Sequence, residues 1–238
     1  MGNNTPKEMA AIRSERFVST KLSDLKEANH SPIYGYQHLP VLSLEEAVEN
    51  LVQIVPGLKT YVAEAKKNCN RNSTLLTHDQ SAAIYLYTMP IKFFSELNAA
   101  LRAKNRDALK PWFSFLKLFL DGLERLPSLD LVVWRGVGDD VGSDLLDNSM
   151  ETWWSVNSCS TNLEVVQLYL GKKGTVFAIQ TINGKDISAY SVFEDEREII
   201  LLPGIAMCIK SRPLNFEERL FIVHLEEKPD KAVHKSKE

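Results

Sequence analysis

The sequence predicts an α+β fold, in which a helical part is followed by a mostly antiparallel β-sandwich. From Ser43 to about Leu126 the apolar residues recur every three or four positions, which is the period of an amphipathic helix. After Pro127 the apolar segments become short, rich in β-branched and aromatic residues, and bounded by Gly, Pro and Asn. Because these predicted strands outnumber the helices between them, hairpins or a two-sheet sandwich are favoured over a doubly wound parallel sheet.

The helical part is predicted for residues 31–126. Its clearest segments are "LEEAVENLVQIV" and "KPWFSFLKLFLDGLERL", in which the apolar residues fall on one helical face. Ser43 directly precedes the first segment, and Glu46 follows three residues later. This spacing is typical of a capping box, so we expect a helix to begin there.

The β part is predicted for residues 127–228. Four segments have the length and composition of strands: "LDLVVWRGV", "GTVFAIQTI", "EIILLPG" and "RLFIVHL". One helical segment, "LEVVQLYLG", lies among them, and Thr161 with Glu164 has capping-box spacing at its start.

The two ends of the chain differ from this single domain of residues 31–228. Residues 1–30 are polar and weakly patterned, and residues 229–238 are charged and poor in large apolar groups. Both patterns are typical of frayed termini. We therefore expect a weakly ordered N-terminal lead and a charged C-terminal tail.

Composition and charge argue against several classes of protein. With 44% apolar and 25% charged residues, the chain of 238 residues is typical of a globular protein, and its net charge of -3 argues against a nucleic-acid partner. Cys69, Cys159 and Cys208 are odd in number and lack metal-ligand spacing, so neither a disulfide framework nor a metal site is predicted. No secretory signal, lipidation motif or apolar run of about 18 residues is visible. The sequence therefore predicts a cytoplasmic protein without a membrane span.

An arginine ends the first predicted strand, "LDLVVWRGV". Both faces of this strand are apolar, so Arg135 needs an anionic partner, and its planar guanidinium suits a phosphate or a carboxylate. Gly136, the next residue, would let a ligand approach the backbone closely. An internal salt bridge is the alternative explanation.

Two further polar groups are not explained by the core pattern. Ser158 and Ser160, in "WWSVNSCSTN", could orient a carboxylate or bind a ligand, although Ser and Asn are also common in loops. Glu196 and Glu198, in "FEDEREIILLPG", share one face if the following strand extends back to them. They form either a solvated strand edge or a carboxylate pair suited to stabilising a cationic sugar transition state.

Together these motifs resemble the arginine-serine-glutamate class of mono-ADP-ribosyltransferases, in its eukaryotic arginine-specific branch. The resemblance rests on "VVWRGV", "WWSVNSCSTN" and "GKDISAYSVFEDEREIILLPG", which occur in the order typical of the family. In the helical part, "AAIYLYTMP", "LNAALR" and "LKPWFSFLKLFLDGLERLP" resemble the family's lead-in to the arginine strand. The likeness covers roughly residues 33–226 and implies the ADP-ribosyltransferase fold with an NAD-binding β core.

The resemblance implies a role for each of the selected residues. Arg135 would anchor the phosphate region of NAD beside Gly136, and Ser158 would help to position NAD and the catalytic glutamate. The family places its catalytic glutamate directly before an apolar strand that ends in Pro-Gly, here "IILLPG", so the resemblance implies that Glu198 would be catalytic and Glu196 would receive the acceptor arginine. Residues matching weaker NAD-contacting positions of the family are Tyr87 and Ser191.

One residue departs from the family pattern, because Cys159 stands where the family has the Thr of Ser-Thr-Ser. We expect this middle position to alternate away from the ligand face, where a small residue such as Cys is tolerated.

The activity implied by the resemblance is transfer of ADP-ribose from NAD, or NADP, to arginine side chains of an acceptor protein, with release of nicotinamide and without a metal. The acceptor would be a protein with an accessible arginine, which the sequence does not identify. Hydrolysis of NAD by water and a non-catalytic NAD-binding domain are the two alternatives.

Overall fold

Helices dominate the first half of the chain and strands the second half. The computed structural model describes residues 5–19, 33–138, 150–170, 173–210, 214–216 and 220–229. The α+β class and the mostly antiparallel pairing predicted from the sequence are both confirmed. Among the described residues, no helix is long and apolar enough to cross a membrane.

The helices begin where the sequence supplies caps. Ser43 and Glu46 form the predicted capping box. At the last helix, Asn162 accepts the backbone N–H of Glu164 at 3.0 Å, so Asn162 caps this helix instead of the predicted Thr161. The described helices are α1 (Pro6–Phe17), α2 (Leu44–Ala47), α3 (Leu58–Asn68), α4 (His78–Thr88), α5 (Phe93–Arg102), α6 (Phe113–Arg125) and α7 (Leu163–Leu170).

The N-terminal residues 5–19, which fall in the lead predicted to be weakly ordered, form a helix and a short strand. Thr5 and Glu8 form a capping box, Pro6 occupies the first turn, and helix α1 continues into the short strand β1 (Val18–Ser19). The sequence suggested no such helix because α1 lacks an apolar stripe; it buries only Arg16 and Phe17, at its end. The rest of the predicted lead and residues 230–238 of the predicted tail lie outside the described residues.

The strands form one continuous sheet in the described part of the chain. Its order is β1-β2-β4-β6-β5-β9-β7-β3, with β8 on β9 and a further pairing of β2 with β5. The long β5 makes this continuity possible, because it pairs with β2 and β9 and, at its end, with β6. The remaining strands are β2 (Leu129–Val137), β3 (Met150–Trp153), β4 (Asn157–Ser160), β5 (Gly174–Asp186), β6 (Glu198–Leu201), β7 (Ile205–Ile209), β8 (Leu214–Phe216) and β9 (Leu220–Lys228).

Strand β6 separates two apolar cores. Ile200 packs in the core of the helical part, whereas Ile199 and Leu201 pack in the core of the β part. Burying each of these side chains contributes about 1.5–3 kcal/mol. Because side chains alternate along a strand, Glu198 lies on the same face as Ile200, towards the helices. The first residue of β6 is thereby held at the boundary between the helical part and the sheet.

Candidate active site

The polar residues selected from the sequence converge where three neighbouring strands meet. Strand β4 pairs with β2 at Trp134, one residue before Arg135, and pairs with β6 through Ser160 and Glu198. All four principal residues are buried here: Arg135, Ser158, Glu196 and Glu198. Charged groups in such surroundings require partners or a ligand, so the cluster is a candidate site.

Glu198 is completely buried, and neither of its carboxylate oxygens makes a hydrogen bond of full geometry in this structure. Its nearest cation is Arg16, whose Nη1 lies 3.5 Å from Oε2. Burial raises the pKa of Glu198 above the ordinary 4.5, and the charge of Arg16 and the nearby hydroxyls of Ser158 and Ser191 oppose this rise. Glu198 is thus an acid whose two oxygens remain available to a hydrogen-bond donor.

A tight turn places Glu196 beside Glu198. Glu196 ends a 3-10 turn (Glu194–Glu196), and Arg197 then takes a left-handed conformation with φ 47° and ψ 54°. Such a conformation costs a non-glycine residue about 1–3 kcal/mol. The Ser160 hydroxyl supports the turn by donating to the Glu196 carbonyl at 2.6 Å. The two glutamates therefore meet through this turn, because strand β6 begins at Glu198 and does not extend back to Glu196.

Ser158 lies between Glu198 and Tyr87 of helix α4. Its Oγ lies 3.2 Å from the hydroxyl of Tyr87, which is fully buried. Burial, and then the negative charge of Glu198, raise the pKa of the Tyr87 phenol, so that it remains neutral. Cys159 packs in the core of the β part, which confirms the predicted alternation away from the site.

Near the end of β2, the guanidinium of Arg135 donates hydrogen bonds to three oxygen atoms. Its Nη1 donates to the carbonyl of Ser158 at 2.6 Å and also to the carbonyl of Arg16, and its Nη2 donates to the Ser19 hydroxyl at 2.8 Å. Next to it, a Cβ added to Gly136 would lie 3.0 Å from Val18. In this structure the close approach that Gly136 permits is therefore made by β1.

Two residues that sequence analysis missed, Arg13 and Arg16, reach the site from α1. Arg16 is buried, and its Nη2 donates to Glu196 Oε2 while its Nη1 donates to the Thr88 carbonyl at 2.6 Å. Arg13 donates from Nε to Glu196 Oε1 and lies over the Phe193 ring, 3.8 Å from its centroid. The capping box of α1 and the three-residue spacing of these arginines could have indicated a helix with two cations on one side.

Tyr169 of α7 is a third residue that the sequence analysis missed. Its hydroxyl donates to Glu196 Oε1 at 2.7 Å, and its ring stacks on Phe17 with centroids 5.8 Å apart. Burial, and then this bond to a carboxylate, raise the pKa of Tyr169, so the phenol stays a donor. Glu196 therefore accepts hydrogen bonds from Tyr169 and from both arginines of α1.

Comparison with known proteins identifies the family to which this site belongs. Residues 41–232 match the family model described as NAD:arginine ADP-ribosyltransferase. The chain belongs to this family. The match confirms the family and the enzyme class that the three sequence motifs predicted.

One protein sequence and several solved structures are similar to this chain. The "Putative NAD(+)--arginine ADP-ribosyltransferase Mav" of Mycobacterium avium (strain 104) is 28% identical over 155 residues, which are 64% of this chain but only 18% of that protein. ADP-ribosyltransferase Vis, from Vibrio splendidus, was solved with agmatine and superposes with a TM-score of 0.55 at 18% identity, covering 85% of this chain and 94% of Vis. The eucaryotic mono-ADP-ribosyltransferase ART2.2 has a TM-score of 0.62 at 17% identity, covering 87% of this chain and 96% of ART2.2. These structures agree with this chain in fold.

NAD is the co-substrate of the NAD:arginine ADP-ribosyltransferase family, and two features of this site fit it. A cavity of about 280 Å³ lies beside Arg135 and is also lined by Asn98, Arg102 and Ser155. Guanidinium groups suit a diphosphate, and amide and hydroxyl groups suit ribose. The oxygens of buried Glu198, which lack hydrogen bonds, would in turn accept ribose hydroxyls.

No group of three or more His, Cys, Asp or Glu side chains that could hold a metal ion occurs within the described residues. Cys69, Cys159 and Cys208 are buried and form no disulfide.

Proposed function

We propose that this protein transfers ADP-ribose from NAD to an arginine side chain of an acceptor protein, with release of nicotinamide. One observation carries the proposal: Glu196 binds guanidinium groups directly beside the buried, hydrogen-bond-free carboxylate of Glu198. An arginine acceptor needs a carboxylate that holds its guanidinium, and the transferred ribose needs a second carboxylate close by. The paired glutamates would meet both needs.

NAD would supply the ADP-ribosyl group, and positive charge develops on its ribose as the bond to nicotinamide breaks. Glu198 would stabilise that charge and accept hydrogen bonds from ribose hydroxyls. The hydroxyls of Ser158 and Ser191 favour its ionised form. Ser158, which contacts the Tyr87 hydroxyl, would hold Glu198 in position.

Arg135 would bind the diphosphate of NAD, since its planar guanidinium can donate two parallel hydrogen bonds to phosphate oxygens. The carbonyl of Ser158 holds this side chain from the protein side, at 2.6 Å from Nη1. Gly136 would allow the dinucleotide to pass close to the backbone of β2.

Glu196 would hold the acceptor guanidinium and receive a proton from it during attack on the ribose. A guanidinium remains protonated near neutral pH and is a poor nucleophile, so a carboxylate in contact with it assists the reaction. Tyr169 would keep Glu196 in position through its 2.7 Å hydrogen bond.

The test is incubation with NAD and a mixture of arginine-rich proteins, followed by mass spectrometry and measurement of nicotinamide. The natural chain and an Arg16→Ala variant are compared, because Arg16 occupies Glu196 in this structure. We expect ADP-ribosyl-arginine in the added proteins. Nicotinamide release without modified arginine would instead indicate an NAD hydrolase, and no release from either chain would contradict both activities.

Three finer points stay predictions from the sequence. The acceptor is expected to be a protein with an accessible arginine, NADP is a possible replacement for NAD, and the location is expected to be cytoplasmic. Agmatine, the molecule bound in the Vis structure, is a suitable small-molecule probe of the acceptor site, because its guanidinium resembles that of arginine.

A further inference from the structure

Residues 5–19, which comprise α1 and β1, form an N-terminal segment that contacts both halves of the proposed site. They lie outside residues 41–232, which match the family model. The segment is anchored by Phe17, which is fully buried and stacks on Tyr169. Its arginines contact Glu196, and its backbone contacts Arg135.

On the acceptor side, the segment uses the hydrogen-bonding capacity of Glu196. Arg16 donates to Oε2, while Arg13 and Tyr169 donate to Oε1. The guanidinium of Arg16 also lies 3.5 Å from Glu198 and 5.6 Å from the ring centroid of Phe193. An incoming arginine would need the same carboxylate oxygens, so it cannot bind Glu196 in this way until Arg16 leaves.

On the NAD side, the segment covers Arg135 and Gly136. The carbonyl of Arg16 and the hydroxyl of Ser19 both accept hydrogen bonds from Arg135, and Val18 pairs with Gly136 in the sheet. Val18 and Ser19 also form one wall of the cavity of about 280 Å³. Pockets for drug-sized ligands measure about 300–1,000 Å³, so this cavity is at the small end of that range and the segment narrows the space beside Arg135.

Arg16 therefore blocks both substrates. Its side chain occupies Glu196, where the acceptor arginine would bind, and its carbonyl occupies Arg135, where NAD would bind. A segment that merely presented an arginine for modification would leave Arg135 accessible to NAD. We propose that residues 5–19 are an autoinhibitory segment, which occupies the acceptor and NAD positions together and must be displaced before catalysis. This proposal rests on the proposed function of the site.

The binding of the segment depends on ion pairs that are sensitive to substitution. Arg16 is almost fully buried, and its direct ion pair with Glu196 offsets the cost of burying its charge. The Arg13 side chain is 27% exposed and adds a second ion pair to Glu196. Replacing both arginines removes the cations that hold the segment in the site, and the segment should then yield to NAD.

The test compares the natural chain with an Arg13→Ala/Arg16→Ala variant and with a Lys7→Ala control, which removes an exposed cation from the same helix. Nicotinamide release and calorimetric NAD binding are measured for each. We expect kcat/KM for NAD to rise at least tenfold in the double variant, with tighter NAD binding, and to stay unchanged in the control. A synthetic peptide of residues 5–19 should inhibit the double variant, whereas the same peptide carrying both substitutions should not.

The outcomes separate this proposal from the function on which it rests. Tighter NAD binding by the double variant without nicotinamide release would support the autoinhibitory segment and contradict the enzyme activity. Equal NAD affinity and equal rates in all three chains would overturn the segment's role and leave the activity standing. If the double variant does not fold, the single Arg13→Ala variant, at the partly exposed position, should still raise kcat/KM about threefold; an unchanged value would overturn the proposal.

Discussion

Replacement of Glu198 by Gln tests the centre of the proposed mechanism. Glu198→Gln keeps the shape of the side chain and removes its charge, at a position where the carboxylate is fully buried and makes no hydrogen bond of full geometry. Burial disfavours the charge, as the raised pKa of Glu198 indicates. We therefore expect the variant to be at least as stable as the natural chain at neutral pH. Any loss of activity then reports on chemistry and not on folding.

The size of the loss follows from how closely a cation can approach Glu198. Arg16 Nη1 lies 3.5 Å from its carboxylate, and at that distance a full positive charge is stabilised by about 5 kcal/mol at an effective dielectric constant of about 20. If about half a charge develops on the ribose, the stabilisation is about 2.4 kcal/mol, or roughly 50-fold in rate. Removal of a preorganised group that stabilises developing charge costs roughly 100- to 1,000-fold in other enzymes. We expect Glu198→Gln to lower kcat by at least about 50-fold.

The assay is the steady-state rate of ADP-ribosyl-agmatine formation from NAD, followed by mass spectrometry. It is run in the natural background and in the Arg13→Ala/Arg16→Ala background, so that autoinhibition does not hide the effect. Glu194→Gln is the matched control, because this exposed neighbouring carboxylate has no proposed role. A folded Glu198→Gln variant that transfers at the parent rate would refute the assignment of Glu198.

Three further predictions concern the pair of glutamates. Glu196→Ala should abolish transfer to agmatine but leave nicotinamide release by hydrolysis; loss of both activities would mean that Glu196 has another role. Tyr169→Phe removes a 2.7 Å hydrogen bond to a carboxylate, worth about 1.5–3 kcal/mol, so the KM for agmatine should rise about tenfold with kcat little changed; an unchanged KM would count against this positioning role. The third is a pH dependence. Because burial raises the pKa of Glu198, the folded chain still holds a proton that the unfolded chain loses near pH 4.5. The free energy of unfolding should therefore fall as the pH rises from 4.5 to the raised pKa of the folded chain. Denaturant unfolding at several pH values should show this fall in the natural chain and not in Glu198→Gln; parallel profiles would contradict it.

Much of the fold could be predicted because its determinants are local. Periodic apolar residues indicate the α6 helix (Phe113–Arg125), and alternation along β4 places Cys159 in the core of the β part, away from Ser158. The capping box at Ser43 was predicted on the same local grounds and is present. The pairing of the strands was harder to foresee. The single strand β5 bonds to β2, β6 and β9, and no local sequence pattern indicates such long-range register.

The candidate site was predicted only in part. Three motifs in order indicated Arg135, Ser158 and Glu198, and the structure brings them together. The geometry joining the two glutamates was not foreseen, because a left-handed Arg197 depends on how the turn is held. Strand periodicity and the register of the family motif selected Glu196 and Glu198, and the periodicity argument assumed a different backbone between them.

By itself the sequence determined the change from a helical part to a β part and, through three motifs in order, the family. Those properties depend on spacing between neighbouring residues, which the chain displays directly. Only the tertiary structure decided what contacts Glu196, because Arg16 lies 180 residues away and pairs with it only in the folded chain. An isolated arginine in a polar helix carries no pattern that distinguishes it from a solvated one, and its role depends on the buried acid opposite.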